Sequence, residues 1–285
     1  MDQILIKKLK EFAIEIRLTT MKEFKIRGFG HIGGSLSIID TFAVLYGAVM
    51  RYDSENPTWP ERDKLVCSKG HAGPSLYATL ALKGFFPLDW LKTLNNPGTR
   101  LPSHCDRNQT PGIDMTTGSL GQGISTAIGL ALGDRIQNRE NYVYLIVGDG
   151  ELNEGQIWEG ALFAGHNKLD NIIAFCDYNK KQLDGWTKDI LDLKDIRGKF
   201  EAFEWHAQEI DGQDVEAIFE AIEKAKEMKG KPHMIVMNTT KGAGVKEIED
   251  MMSNHHITIS NEMADKAITE LESKLKAIRV EGGAL

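Results

Sequence analysis

Asp149 and Asn179 stand thirty residues apart, each just past an apolar run that reads as a strand. Residues 142–147 lead into Gly-Asp-Gly, and residues 172–176 lead into Asp-Tyr-Asn. Open parallel sheets bind ligands beyond the carboxyl ends of their strands. A carboxylate and an amide oxygen placed there are hard donors. With a backbone carbonyl, phosphate oxygens and water they complete an octahedral Mg²⁺ site, and Ca²⁺ accepts the same donors. Gly150 has no side chain, so its N–H can approach a phosphate, and a helix starting near Glu154 would turn its positive end to the same place. The chemistry these residues suggest is retention of a metal-bound diphosphate.

A second candidate is weaker. Residues 28–33, Gly-Phe-Gly-His-Ile-Gly, match GxGxxG letter for letter. A dinucleotide fingerprint needs a strand before it, a helix opening on it and an acidic residue at the end of the next strand. Here a charged amphipathic helix precedes it, so the glycines are expected to shape a turn that brings His31 close to another element.

The elements that must position these residues follow from periodicity. Leu5, Leu9, Phe12, Ile16 and Thr20 fall near a helical period over residues 4–22. Residues 37–50 are apolar almost all round and read as a buried helix, with Ser37 and Asp40 in capping-box spacing. A short strand over 64–68 precedes a helix with Pro74 in its first turn and Gly84 at its end. Residues 95–118 are rich in Asn, Pro, Gly and Thr and read as a long loop, the kind that often carries function. A helix of small residues over 119–136 comes next. Strand 142–147, helix 154–166 and strand 172–176 make one βαβ unit; strand 205–210, helix 213–229 and strand 233–238 make another. Strands apolar on both faces and alternating with helices predict an α/β fold, a parallel sheet with helices on both faces. The whole of 1–285 reads as one domain closed by a polar helix at about 261–279.

The 285 residues are 41% hydrophobic and 26% charged, as in ordinary globular proteins, and can bury a core. The net charge of −7 argues against a nucleic-acid-binding surface. No apolar run is expected to span a bilayer, and Asp2, Glu11 and Glu15 interrupt the start where a signal peptide would be apolar. Cys67, Cys105 and Cys176 lack CxxC spacing, and a cytoplasmic setting is expected.

The run from Gly148 through Asn179 resembles the thiamine diphosphate signature, and its intervening residues resemble transketolase in particular. The likeness extends over roughly 10–256. It includes His31 in GHIGGSLS, His71 in SKGHAGPSLYATL, His104 in LPSHCDRNQTPG, the loop TTGSLGQG and the segment GVKEIEDMMSNHH. The chain resembles the N-terminal, diphosphate-binding subunit of a two-chain transketolase. The resemblance implies thiamine diphosphate with Mg²⁺ or Ca²⁺, and transfer of a two-carbon ketol unit from a ketose to an aldose, both sugar phosphates in the family. It also implies a C-terminal partner chain carrying the pyrimidine-binding and third domains, assembled as α2β2.

Carried over residue by residue, Asp149, Asn179 and the Lys181 carbonyl would hold the metal. His71, Gly118, Leu120, Gly150, Leu183 and Lys241 would contact the cofactor. His31, His104 and His255 would face the substrate, with His256 an alternative register for the last, and Glu154 would communicate across the subunit interface. Family members usually place Trp before the last histidine, where this chain has Asn254, and Ser and Pro around the first, which implies an altered acceptor pocket. The α subunit of a 2-oxo acid dehydrogenase shares the metal signature, but the set His31, His71 and His104 argues against it. A silent cofactor-binding subunit would not need them either.

Overall fold

The computed structural model describes residues 2–183 and 185–280. Five parallel strands form its central sheet: β1 (Lys64–Cys67), β2 (Val143–Gly148), β3 (Ile172–Tyr178), β4 (His206–Asp211) and β5 (His233–Asn238), in the order β1-β2-β3-β5-β4. Register sets Gly148 beside Asp177 and Tyr178 beside Asn238, so the three central strands end level.

Alternation across the pleat feeds two cores. Tyr144, Ile146, Ile173, Phe175, Ile235 and Met237 face one; Val143, Leu145, Val147, Ile172, Ala174 and Val236 face the other. The long helices among the described residues are α1 (Gln3–Arg27), α2 (Gly73–Leu82), α3 (Gln122–Ile136), α4 (Gly155–His166), α5 (Val215–Glu227) and α6 (Asn261–Val280). Apolar residues of α1, α2, α5 and α6 cover the first face and those of α3 and α4 the second. The expected layered α/β architecture is the observed one.

Residues 37–50 depart from expectation. They are not one capped helix but Ile39–Val44 followed by a π-helical turn, Leu45–Val49, after a separate short helix, Ile32–Leu36. Ser37 and Asp40 form no capping box, because stronger partners take them. The Ser37 hydroxyl donates to Asp177 at 2.7 Å, and Asp40 accepts the Arg17 guanidinium at 2.8 Å. Residues 32–49 are also, by length and composition, apolar enough for a bilayer, contrary to the sequence reading; 83% of the stretch is buried against the rest of the protein. A further feature went unforeseen: Phe29–Gly30 pairs antiparallel with Ile257–Thr258. The three cysteines are free and buried.

Candidate active site

A cavity of about 190 Å³ opens beyond the ends of β2 and β3. Asp149, Gly150, Asn179, Lys181, Leu183, Leu120, His71, Lys241 and His255 all line it, together with Lys69, Gly148, Glu151 and Gln182. Nine of the thirteen residues proposed from the sequence therefore converge on one cleft.

The donor set fits a hard divalent cation. Asp149 is 2% exposed, and burial, reinforced by Asp177, pushes its carboxyl up to about 6. Its Oδ2 accepts the Lys180 N–H at 2.6 Å and the Thr187 hydroxyl at 3.2 Å. Asn179 is buried and turns its Nδ2 to Asp177, leaving its Oδ1 as the acceptor of the Lys181 N–H at 3.2 Å. The Lys181 carbonyl accepts the Lys241 ammonium at 3.0 Å, so a positive charge already suits that oxygen. Among the described residues no group of three His, Cys, Asp or Glu could hold a metal. Remaining positions would fall to ligand oxygens and water.

Gly150 lies on the cavity, but its N–H donates to Asp149 Oδ1 at 2.7 Å, so a diphosphate would compete for it. A Cβ there would sit 2.8 Å from the Gln182 Cβ, which makes the glycine necessary for the fold of the turn. The helix-end expectation is corrected. A 3₁₀ turn, Gly150–Asn153, separates Asp149 from α4, and the lining stops at Glu151 rather than reaching the start of α4. Glu154 is exposed, at the N-terminal boundary of α4 and away from the cavity. Leu120 and Leu183 are 39% and 63% exposed, offering apolar surface at the mouth.

Three residues that hold this cleft were not foreseen. Lys69 is fully buried and ion-paired with Asp177, and donates to the Gly34 carbonyl at 2.8 Å. Burial alone would raise Asp177, but Lys69 overrides it and the carboxyl lies below its usual range. Glu151 accepts the N–H groups of Gly121 at 2.8 Å and Gly148 at 3.0 Å and the Ser68 hydroxyl, tying the TTGSLGQG loop to β2. Burial raises its pKa against those bonds. The available signals were a lysine at the end of β1 in a buried sequence and two carboxylates flanking the proposed ligands. Lys241 is 3% exposed and not a surface residue; burial, then Lys69, lowers it to about 8.

The histidines gather around His31. Its ring lies 5.6 Å from His71, 5.3 Å from His104, 5.2 Å from His255 and 4.8 Å from His256. His71 and His255 are 4.8 Å apart, and Lys241 Nζ is 3.2 Å from His255 Nδ1. Burial lowers His31 to about 4 and His255 to about 3, with neighbouring positive groups adding, and lowers His71 and His104 as well. The turn glycines allow this approach. A Cβ on Gly33 would stand 2.3 Å from the Asn254 carbonyl, and one on Gly34 would stand 2.9 Å from the His71 ring. This is the close contact expected of the GxGxxG stretch, with no preceding strand and no dinucleotide geometry. Gly118, at φ 146, packs on the His104 ring and does not line the cavity; His31 borders the lining residues His71 and His255, and His104 stands behind His31.

The sheet and its strand-end cleft define a cofactor-binding α/β protein whose pocket combines hard oxygen donors, buried lysines and neutral imidazoles. The model of the transketolase thiamine diphosphate binding domain matches residues 9–275, and the chain belongs to the transketolase family. A 6-deoxy-6-sulfo-D-fructose transketolase subunit of Clostridium sp. (strain MSTE9) is 53% identical, over 93% of this chain and 97% of its own. An apulose-4-phosphate transketolase subunit of Actinobacillus succinogenes is 39% identical, over 86% and 88%. The crystal structure of Campylobacter jejuni transketolase superposes with a TM-score of 0.87 at 30% identity, covering 95% of this chain and 43% of that one. The chain is a transketolase subunit that binds thiamine diphosphate.

Proposed function

We propose that this chain supplies the diphosphate- and metal-holding half of a two-chain transketolase, which moves a two-carbon ketol unit from an anionic ketose to an aldose. The observation that carries the reading is the convergence of His31, His71, His104 and His255 beside Asp149, Asn179 and the Lys181 carbonyl. The 53% identical relative, named for a sulfonated fructose, makes a sugar with a terminal sulfonate the first substrate to test, with a phosphate second.

Bound thiamine diphosphate supplies the nucleophile and the electron sink for breaking the carbon–carbon bond. Asp149, Asn179 and Lys181 would hold Mg²⁺ or Ca²⁺ against its diphosphate, with Gly150, His71 and Lys241 turned to the phosphate oxygens. Leu120 and Leu183 would cover the apolar ring. His31, His104 and His255 would accept a proton from a substrate hydroxyl and return one to an alkoxide; burial depresses all three, so they stand as neutral imidazoles until a substrate oxygen meets them.

The partner would carry the pyrimidine-binding and third domains, giving an α2β2 assembly, since two-fold closure is the commonest solution. Leu162 and Phe163 on α4 are 58% and 46% exposed, and α3 turns Gly129 outward with open space where a Cβ would go. These faces, with Leu120, Leu183 and Glu154, are the proposed contact surface. Residues 1–285 would form one domain, and buried free cysteines suit a reducing cytoplasm. Asp149→Ala should abolish metal-dependent binding of thiamine diphosphate in the assembled enzyme. Unchanged affinity by isothermal titration would remove Asp149 from the metal site.

A further inference from the structure

We infer that His256 is a specificity-determining residue, its imidazole reading the terminal oxyanion, sulfonate or phosphate, of the sugar that passes His31. The inference rests on the ketol-transfer reading above. Of the five histidines in the cluster, His256 is exposed and the other four are partly covered. It does not line the cofactor cavity, as His71 and His255 do, yet its ring is 4.8 Å from that of His31. It therefore stands on the solvent side of the cluster, where the end of a sugar remote from the reacting carbon must lie.

The chain fixes His256 there from both flanks. Asn254 is 1% exposed. Its Nδ2 donates to the Lys241 and Ile248 carbonyls, both at 2.9 Å, and its own carbonyl accepts the Gly33 N–H at 3.0 Å. On the other side Ile257 pairs with Gly30. A backbone held this way fixes the point from which the imidazole projects beside His31. One cationic side chain stands near it, across Phe29. The Phe29 ring lies 5.7 Å from His256, and the Arg27 guanidinium stands 4.4 Å over Phe29 while donating to Asn96 at 3.3 Å. Arg27 Nε is buried without a hydrogen-bond partner. The chain as a whole carries −7, so an anionic sugar gains from an exposed imidazole donor beside His31 with a guanidinium one ring away.

The test uses the complex of this chain with its co-purifying partner, loaded with thiamine diphosphate and Mg²⁺. Three ketoses serve as donors: one ending in sulfonate, one in phosphate and the uncharged parent. His256→Ala should cut kcat/KM for at least one anionic sugar by about tenfold, mainly through KM, and for the uncharged sugar by less than about twofold. His256→Lys should restore much of the anionic preference, and cofactor affinity by titration should stay unchanged in both. The anion that suffers more identifies the terminal group read. Equal losses on charged and uncharged sugars, or none, would overturn the role of His256 while leaving the ketol-transfer reading intact. A wild-type complex that transfers no two-carbon unit would refute that reading, and this inference with it.

Discussion

Buried charge decides most of what the cleft residues can do. Lys69 and Asp177 pair with side-chain exposures of 1% and 0%, so each neutralises a group that could not otherwise remain charged there. Lys69→Met would leave Asp177 without its counter-charge. It should cost about 3–5 kcal/mol of stability, read as a lowered urea midpoint at unchanged slope. His104 has a different task. It is half-covered, contacts His31 and Gly118, and stays off the cofactor cavity. His104→Ala should therefore lower single-turnover cleavage of a ketose while thiamine diphosphate affinity holds. Normal cleavage in that variant would take it out of the chemistry.

Among the elements, β4 and β5 carry a pH dependence of their own. His233 is fully buried, with its Nδ1 3.4 Å from His206 Nδ1 and its Nε2 3.1 Å from the Met228 carbonyl. Burial, with His206 adding, depresses it to about 4. Because the folded state holds this base neutral, the unfolded chain binds more protons between its ordinary pKa near 6.5 and that value. The stability it protects is intact above about pH 6.5 and falls as the pH drops toward 4, by on the order of 3 kcal/mol. Urea unfolding at pH 7.5 and pH 5 should show this loss, and His233→Phe should lose correspondingly less. The strands and most helices were legible because their apolar period is local: β5 and α6 fall within a residue of expectation. The break in residues 32–49 was not, because Ser37 and Asp40 answer to Asp177 and Arg17, 140 and 23 residues away. The same holds for Lys69 and Glu151, whose roles come from elements that only the fold brings together. The strand-end positions of Asp149 and Asn179 were legible from the apolar runs before them, whereas the histidine and lysine assignments came from family resemblance. Asn254, noted only as a departure, proves to be a buried clamp.

For the whole molecule, the chain covers nearly all of two relatives named as subunits and under half of a full transketolase. Its cleft is built from one side: oxygen donors, lysines and imidazoles are present, while Leu120, Leu183 and Glu154 face outward. The most direct measurement is ketol transfer by this purified chain with thiamine diphosphate and Mg²⁺, before and after adding the chain that co-purifies with it. The split-subunit reading predicts cofactor binding at most, without turnover, from the isolated chain and full transfer on mixing. Full activity from the isolated chain would contradict it.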